Sequence, residues 1–360
     1  MKGAFLSHEE AGLLNRNSVL RYVRKMGVVS RTDIWNNMNI SRASVTQVIR
    51  QLQESDLIME TGEKKFSGKR KSRDLCLNAN ARFMYVFDWD SHYLCYMNLG
   101  GEVLEKRELA FPANCTPSVF AELVTAGVEE LRAAVSEQPE RLLGLGICLP
   151  GLIDCRKGEV MYSTELGWRD VSIRELFADS FGEAVFLERT GNMIALGECE
   201  FGAGKKYQHV ILILLDSEGI GMSSVVRGDC QHGNNYMFGE LGHIKLPSRV
   251  ICACGQRGCL EAIVRDRMMR NGGALDDEVM ETIAYGVSTA ATLVDPGITL
   301  LAGKLVRRMS AGQKDALIQR IRSMITNERF RDLTVDFCPE DPLMGAKGMN
   351  CYIFDRCFVS

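Results

Sequence analysis

One histidine and three cysteines in the carboxy-terminal half of the chain constrain the fold more than any other feature. Gly242-His243 is followed by Cys252-Ala253-Cys254-Gly255-Gln256-Arg257-Gly258-Cys259, so an imidazole and three thiols fall within seventeen positions. Three thiolates and an imidazole complete the tetrahedral shell that Zn²⁺ prefers, and the two glycines allow tight turns between ligands. The spacing predicts a zinc site formed by His243, Cys252, Cys254 and Cys259.

A shell of four protein ligands leaves no coordination position for water or substrate, so we expect a structural metal and not a hydrolytic one. The alternative is a group of buried free cysteines, of which Cys148, Cys199 and Cys230 are typical candidates. The chain has thirteen cysteines, an odd number spread over 360 residues. This pattern is typical of reduced thiols and not of a disulfide framework.

The amino-terminal residues contain no signal-peptide core, and the longest strongly apolar run, residues 210–215, is far too short to span a membrane. We therefore expect a cytoplasmic protein without membrane insertion. A length of 360 residues predicts two or three domains. Charge divides unevenly: residues 1–80 contain 14 Lys and Arg against 8 Asp and Glu, a net charge of +6, and the remainder has a net charge of −9. A basic first segment on an acidic body indicates that the first segment meets a polyanion.

Three short helices are predicted near the amino terminus. The first ends at Gly27, and the second begins with a capping box formed by Ser30 and Asp33. Ser41 is placed to cap the third. Apolar residues at helical spacing give the first and third helices one buried face each: Val19, Leu20, Tyr22 and Val23, then Val45, Val48, Ile49 and Leu52.

The other face of the third helix has small polar and basic side chains, which can reach base edges and phosphates in a major groove. Residues 57–60 and 73–77, with a turn at Gly62, are predicted to form a hairpin wing. Residues 64–71 at its tip include five basic residues in eight positions, which favours phosphate contact. The alternative is a small packing domain with a solvated face. The residues expected to contact DNA are Ser41, Arg42, Ser44, Thr46, Gln47, Arg50, Lys69 and Arg70.

Several collinear motifs together resemble the ROK family of repressors, open reading frames and kinases. The run from Asn15 to Asn78 is similar to the winged helix-turn-helix that begins its repressors, whose wing ends in a Gly-Arg pair; Gly68-Lys69-Arg70 stands there in this chain. GH followed by CxCGxxGCxE is the family's zinc motif. Further matches are LGLGICLPGLID at 143–154, LERTGNMIALGE at 187–198, LLAGKL at 300–305 and GAKG at 345–348.

The resemblance implies an α/β fold: an N-terminal winged helix-turn-helix followed by a two-lobed actin-like ATPase fold of the ROK and hexokinase type. It implies a DNA-binding domain at 1–80, a first lobe at 81–190 with a C-terminal helix at 344–360, and a second lobe with the zinc site at 191–343. In the family the zinc-bound histidine also hydrogen-bonds the sugar. Carried over, Glu240, His243 and Glu261 become the partners of sugar hydroxyls.

Three departures from the family's kinases indicate that phosphoryl transfer is lost. The family has Asn-Asp where this chain has Arg189-Thr190, and a threonine cannot accept the sugar hydroxyl proton at neutral pH. The first phosphate loop reads Asp88-Trp89-Asp90-Ser91-His92, without the glycines of the family. The second reads Ser217-Glu218-Gly219-Ile220-Gly221, where Glu218 opposes an anionic nucleotide. We expect no enzyme activity and no use of ATP.

Arg189 has two interpretations, because it replaces a neutral sugar-contacting residue with a fixed cation. It binds an anionic ligand, such as a sugar phosphate or sugar acid, or it forms an internal ion pair with Glu188, Glu240 or Glu261.

The function expected from these features is that of a sugar-responsive transcription regulator, a repressor of carbohydrate-metabolism genes, that binds a double-stranded DNA operator as a homodimer or tetramer. Its ligand is expected to be a small sugar or sugar derivative, and a sugar-transport protein is a further candidate partner. The alternatives are a ligand-independent regulator, a protein-controlled regulator and an active sugar kinase.

Overall fold

The structure is a computed structural model that describes residues 8–38, 40–67, 70–135, 138–216, 219–325 and 333–359. Within these ranges it describes side chains at 12–61 and from residue 73 onward. The amino-terminal part, called the head below, comprises residues 8–77. Its elements are α1 His8–Met26, β1 Val28–Val29, α2 Arg31–Met38, α3 Arg42–Glu54, β2 Ile58–Ser67 and β3 Arg70–Leu77.

The helix boundaries of the head follow from local hydrogen bonds. Ser30 Oγ accepts from the backbone N–H of Asp33 at 3.1 Å, and Asp33 Oδ2 accepts from the backbone N–H of Ser30 at 2.8 Å. Ser41 Oγ accepts from the backbone N–H of Ser44 at 3.1 Å and caps α3. Gly27, with a φ of +78°, follows the end of α1. These bonds satisfy N–H groups that the first turn of a helix leaves free.

The buried faces predicted for α1 and α3 form the core of the head. Fully or almost fully buried side chains come from both helices and from the hairpin β2–β3: Val19, Leu20, Val23, Val45, Val48, Ile49, Leu52, Ile58 and Leu75. The strands pair in the order β1-β3-β2. The predicted helical pattern is therefore confirmed in the head.

The turn predicted at Gly62 is wrong. β2 continues through that position to Ser67 and pairs with β3 as far as Ser67 opposite Arg70. The pairing register shifts between Glu60 and Lys64, so Gly62 lies in an irregular part of the strand and the chain does not reverse there. The hairpin is consequently longer than the sequence pattern predicted.

The rest of the chain, called the body, begins with an α/β half built on a five-stranded sheet. Its strands lie in the order β11-β7-β4-β5-β6, with a small sheet β10-β9-β8 beside them. The elements are β4 Phe83–Asp88, β5 Tyr93–Asn98, β6 Val103–Glu108, α4 Pro117–Ala134, β7 Leu142–Leu149, β8 Leu152–Asp154, β9 Glu159–Ser163, β10 Trp168–Ser172, α5 Ile173–Leu176, α6 Ala178–Phe181, β11 Val185–Arg189 and α7 Thr190–Phe201.

The second half of the body repeats this topology. Its sheet has the order β14-β13-β12-β15-β16. In each sheet the first three strands along the chain, β4-β5-β6 and β12-β13-β14, pair antiparallel. The remaining strands, β7 and β11 or β15 and β16, add in parallel next to β4 or β12. The elements are β12 His209–Leu215, β13 Ile220–Val226, β14 Asp229–Cys230, α8 Leu260–Arg270, α9 Asp277–Val294, β15 Ile298–Ala302, α10 Lys304–Arg308, α11 Ala311–Met324, β16 Thr334–Phe337 and α12 Met344–Phe358.

Helices α7 and α12 pack against each other between the two sheets. α12 contacts β4 and β7, and α7 contacts β12 and β13. Glycines allow the close approach of the two helices: a Cβ atom on Gly348 would overlap the carbonyl oxygen of Met193, and one on Gly197 would overlap that of Met344. This pair of helices therefore joins the two halves of the body.

The head lies directly on the carboxy-terminal helix. Asn17 Nδ2 donates to the Val359 carbonyl at 3.2 Å, Arg21 pairs with Asp355 at 3.1 Å, and Arg24 Nη2 donates to Asn350 Oδ1 at 2.7 Å. Apolar side chains of the head and of α7 and α12 belong to one continuous core. The domain limits at residues 80, 190 and 343 remain a prediction; in the structure they fall after β3, at the start of α7 and directly before α12.

The contact between α7 and α12 predicts a large cost for a single methyl group. We expect Gly348→Ala to lower the free energy of unfolding by about 1–3 kcal/mol, because the added Cβ forces the helices apart. Gly312→Ala is the matched control, since Gly312 also lies in a helix but has open space around it; we expect it to be neutral or slightly stabilising. Urea unfolding followed by circular dichroism measures both, and equal midpoints would contradict the prediction.

Candidate functional site

The histidine and three cysteines singled out in the sequence lie together in the structure. Their ligand atoms are all within 4.8 Å of one another. His243 Nδ1 lies 3.8 Å from Cys252 Sγ, and Cys254 Sγ lies 3.7 Å from Cys259 Sγ. Ligands of a tetrahedral zinc ion are roughly 3.5–3.8 Å apart, given Zn–S of about 2.3 Å and Zn–N of about 2.0 Å. The four side chains therefore fit a metal ion of this size.

Glycines in left-handed conformations turn the backbone between the ligands of the cluster. His243 ends the 3₁₀ turn Leu241–His243, and Cys259 directly precedes α8. Between them, Gly255 and Gly258 have φ values of +82° and +74°. A Cβ atom on Gly258 would overlap the carbonyl oxygen of Leu246, so this position requires glycine.

The three cysteines have different polar surroundings. Lys245 Nζ donates to Cys259 Sγ at 2.9 Å. The backbone N–H of Gln256 donates to Cys254 and lowers the pKa of that thiol, whereas burial raises the pKa of Cys252 to about 12. Because the thiolate is the metal-binding form, a cation is needed to deprotonate Cys252 at neutral pH.

Two carboxylates flank the histidine on its two sides. Glu240 Oε2 lies 3.7 Å from His243 Nε2, and Glu261 Oε1 lies 3.7 Å from His243 Nδ1. Cys252 Sγ donates to Glu261 Oε1 at 3.1 Å. The structure thus brings Glu240, His243 and Glu261 together, with Nδ1 facing the thiols and Nε2 facing Glu240.

Both terminal nitrogens of the Arg189 guanidinium donate hydrogen bonds to other parts of the protein. Nη1 donates to the Phe238 carbonyl at 3.1 Å and to Glu240 Oε1 at 3.4 Å, and Nη2 donates to the Met222 carbonyl at 3.0 Å. The side chain is only 13% exposed. This geometry favours the ion-pair interpretation, with Glu240 as partner, over an anionic ligand.

The predicted DNA-contacting residues of α3 are exposed or half-buried on the surface of the head. The guanidinium of Arg42 stacks on the Trp35 ring at 4.1 Å, and Thr46 Oγ1 donates to the Arg42 carbonyl at 2.9 Å. Ser41 and Ser44 share a hydroxyl hydrogen bond of 2.8 Å. Gln47 is exposed, and so is Arg50, whose Nε lies 3.5 Å from Glu54. Lys69 lies outside the residues that the structure describes, and so does the side chain of Arg70.

Sequence reasoning missed Trp35, which supports Arg42 on this surface. Trp35 lies next to Ile34 and three positions before Met38, and this pattern did not distinguish it from a core residue.

None of the described helices has the length and apolarity needed to cross a bilayer.

A comparison with protein families finds the ROK family over residues 90–274, about half of the chain. The chain belongs to the ROK family. The match includes the Leu143–Asp154 and Leu187–Glu198 motifs and the whole His243, Cys252, Cys254 and Cys259 cluster.

Relatives of this ROK protein include named repressors. It is 24% identical over 259 residues to the xylose repressor of Bacillus subtilis, an alignment that covers 71% of this chain and 67% of the relative. It is 26% identical over 286 residues to the N-acetylglucosamine repressor of Escherichia coli O157:H7, covering 78% and 68%. Both alignments therefore span most of each protein.

Solved structures confirm the predicted fold class. A ROK family transcriptional regulator, described as a homologue of the E. coli MLC protein, superposes with a TM-score of 0.78 at 21% identity and covers 96% of both chains. The ROK hexokinase of Thermus thermophilus superposes with a TM-score of 0.61 at 24% identity, covering 75% of this chain and 97% of its own. The regulator thus matches nearly the whole architecture, and the kinase matches a smaller share of it.

Thr190 and Asp88, two of the positions compared with the family's kinases, are buried in the part of the chain that the structure describes. Thr190 opens α7, is 8% exposed, and its hydroxyl has no hydrogen-bond partner among the described residues. Asp88 is buried at the end of β4, and burial raises the pKa of its carboxyl to about 7. Ser217 and Glu218 of the second phosphate loop lie outside the described residues.

Aromatic rings surround the turn at residues 88–92, which the resemblance to ROK kinases aligns with the first phosphate loop. Trp89 lies in this turn with its ring centroid 5.2 Å from those of His92 and Phe111, and 6.3 Å from that of Phe120. Its indole N–H donates to Glu165 at 2.8 Å. The aromatic cluster, Phe87, Trp89, His92, Phe111 and Phe120, therefore packs beside the position where the family's kinases have glycines.

The bonds of Arg189 predict that the arginine stabilises the segments that carry Met222, Phe238 and Glu240. We expect Arg189→Ala to lower the free energy of unfolding by about 1–3 kcal/mol, because it leaves Glu240 and two carbonyls without their donor. Arg307→Ala is the control, because Arg307 is exposed and its ion pair with Glu340 is long, at 3.9 Å. We expect the free energy of unfolding to change by about 0.5 kcal/mol or less. Urea unfolding without ligand measures both variants. Unchanged stability of Arg189→Ala would contradict the ion-pair interpretation.

Proposed function

We propose that this chain is a sugar-responsive, DNA-binding repressor of carbohydrate-metabolism genes that lacks kinase activity. The observation that carries the proposal is the direct attachment of the helix-hairpin head to a ROK body whose kinase-base position is Thr190. Its named repressor relatives support the same function.

In this proposal α3 reads the major groove of an operator. Gln47 and Arg50 contact base edges or phosphates, supported by Arg42 on its Trp35 platform and by the short side chains of Ser41, Ser44 and Thr46. The basic hairpin, with Lys69 and Arg70, contacts the phosphate backbone. A homodimer presents one head to each half of an inverted repeat.

The pocket formed by Glu240, His243 and Glu261 binds the effector. Two carboxylates accept hydrogen bonds from neighbouring hydroxyls of a sugar, and His243 Nε2 adds a further contact on the same side. Because Arg189 is already bonded to Glu240 and to backbone carbonyls, we propose a neutral sugar as the effector. Arg189 then orients Glu240 and does not bind the ligand itself.

The cluster of His243, Cys252, Cys254 and Cys259 holds a structural zinc ion. With all four positions taken by protein, the ion supplies no reaction chemistry. It would fix the ring of His243 through Nδ1 and leave Nε2 free to face the pocket. Removing the metal is therefore expected to weaken sugar binding.

A signal from the pocket has a short structural route to DNA. Arg189 is followed directly by α7, α7 packs closely on α12, and α12 is bonded to α1 of the head. We propose that sugar binding shifts α7 and α12 together and so changes the orientation of the two heads in a dimer. Such a shift requires different sugar affinities in the two states.

DNA binding is tested with a labelled fragment from upstream of the chain's own gene. We expect Gln47→Ala and Arg50→Ala to weaken binding by about 1–3 kcal/mol each, roughly 5- to 150-fold in Kd. Arg132→Ala is a matched control, because Arg132 is also a helical arginine paired with a glutamate on its own helix, but in the body. Fluorescence anisotropy at fixed salt measures all four proteins; equal loss in the control, or no loss in α3, contradicts the proposal.

Effector binding is tested with a panel of neutral sugars that includes xylose and N-acetylglucosamine. We expect one sugar to raise the melting temperature and to weaken operator binding, and Glu240→Gln and Glu261→Gln to abolish both effects. ATP with the same sugar is expected to be consumed no faster than in buffer, because Thr190 offers no base. If no sugar changes the melting temperature or DNA affinity, the regulator is ligand-independent; sugar-stimulated ATP consumption would overturn the non-enzyme proposal.

A further inference from the structure

A second group of metal-binding side chains lies apart from the cysteine cluster. His232 Nε2 is hydrogen-bonded to Glu188 Oε2 and lies 3.7 Å from Cys155 Sγ. The three donor atoms lie within 4.8 Å of one another. One imidazole nitrogen, one carboxylate oxygen and one sulfur therefore surround a common point.

The three residues come from separate parts of the body. Cys155 follows β8 and Glu188 lies on β11, both in the first half, whereas His232 follows β14 in the second half. Their separation of 33 and 44 residues along the chain explains why no motif in the sequence indicated them. The site exists only because the two halves meet here.

The geometry differs from that of a cysteine nucleophile with a histidine base. In such a relay the cysteine and the acid use different nitrogens of the ring. Here both Cys155 and Glu188 approach the same nitrogen, Nε2. The three donor atoms therefore lie close to one another, as those of ligands to one shared ion do, and the thiol has no separately oriented base.

The carboxylate is buried and already oriented by its neighbours. The Glu188 side chain is 0% exposed, and its second oxygen, Oε1, accepts from the Arg189 backbone N–H at 2.7 Å and from Asn192 Nδ2 at 3.0 Å. Such outer hydrogen bonds fix metal-binding carboxylates in known sites. Asn192 Oδ1 is buried without a hydrogen-bond partner among the described residues, which leaves an acceptor for a metal-bound water.

We propose that Cys155, Glu188 and His232 bind a second divalent transition-metal ion, with Zn²⁺ as the ion that best fits one thiolate, one imidazole and one carboxylate. Mg²⁺ and Ca²⁺ prefer shells made of oxygen. Metal affinity at such a site depends on pH, because thiol and imidazole ligands bind a metal in their deprotonated forms. Three protein ligands leave the fourth position to water, so this site differs from the closed shell of the first cluster.

The proposal does not depend on the chain's being a repressor, and metal content tests it directly. The full-length protein, loaded with Zn²⁺ and freed of excess metal, is measured by inductively coupled plasma mass spectrometry. We expect two ions per chain in the unmodified protein, one in Cys155→Ser, one in Cys252→Ser, and none in the double variant. Cys115→Ser is the matched control, since Cys115 and Cys155 are both 8% exposed; it should keep both ions.

The outcomes separate the two sites. One ion per chain in the unmodified protein, unchanged in Cys155→Ser and lost in Cys252→Ser, overturns the second site and leaves the first. One ion that is lost in Cys155→Ser but kept in Cys252→Ser supports the second site and overturns the first.

A titration of the unmodified protein with Co²⁺ covers the possibility that Cys155→Ser does not fold. Thiolate-to-cobalt absorption is expected to grow until two equivalents are bound, with the weaker absorption belonging to the site that has a single thiolate. Saturation at one equivalent contradicts the second site.

Discussion

The approach of α7 to α12 at two glycines is the contact on which the rest of the body depends. α12 packs on the first sheet and α7 mainly on the second, and neither backbone has room for a side chain at the crossing. Close packing of this kind transmits small displacements because there is no free volume to absorb them. The two sheets, Arg189 at the start of α7 and the docked head are therefore connected through one rigid pair of helices.

Features of the fold whose partners lie close in the chain could be predicted from the sequence. The Ser30–Asp33 capping box and the Ser41 cap involve residues three positions apart, and the buried face of α3 follows from helical spacing alone. The turn at Gly62 could not be placed correctly, because a glycine in a strand signals a turn and an irregularity equally well. The packing of α1 on α12 joins residues more than 300 positions apart and has no local pattern.

The candidate site also has parts that local sequence patterns predict and parts that depend on residues distant in the chain. The grouping of His243 with the three cysteines was predictable because a short glycine-containing segment can bring them together by itself, and Glu240 and Glu261 followed from the resemblance to the ROK family. The observation that favours the ion-pair interpretation of Arg189 needed the structure, since the partners of Arg189 come from Met222, Phe238 and Glu240. Cys155, Glu188 and His232 needed the meeting of the two halves of the body.

The aromatic cluster around Trp89 has a consequence for substitutions at this turn. The resemblance places the glycines of the family's kinases here, whereas five rings pack against one another in the same corner of this protein. An aspartate at position 190 would leave these rings in place. Several large side chains would have to be replaced together to open the corner, and each step would first cost core stability. Under the proposal that phosphoryl transfer is lost, packing therefore opposes its return by single substitutions.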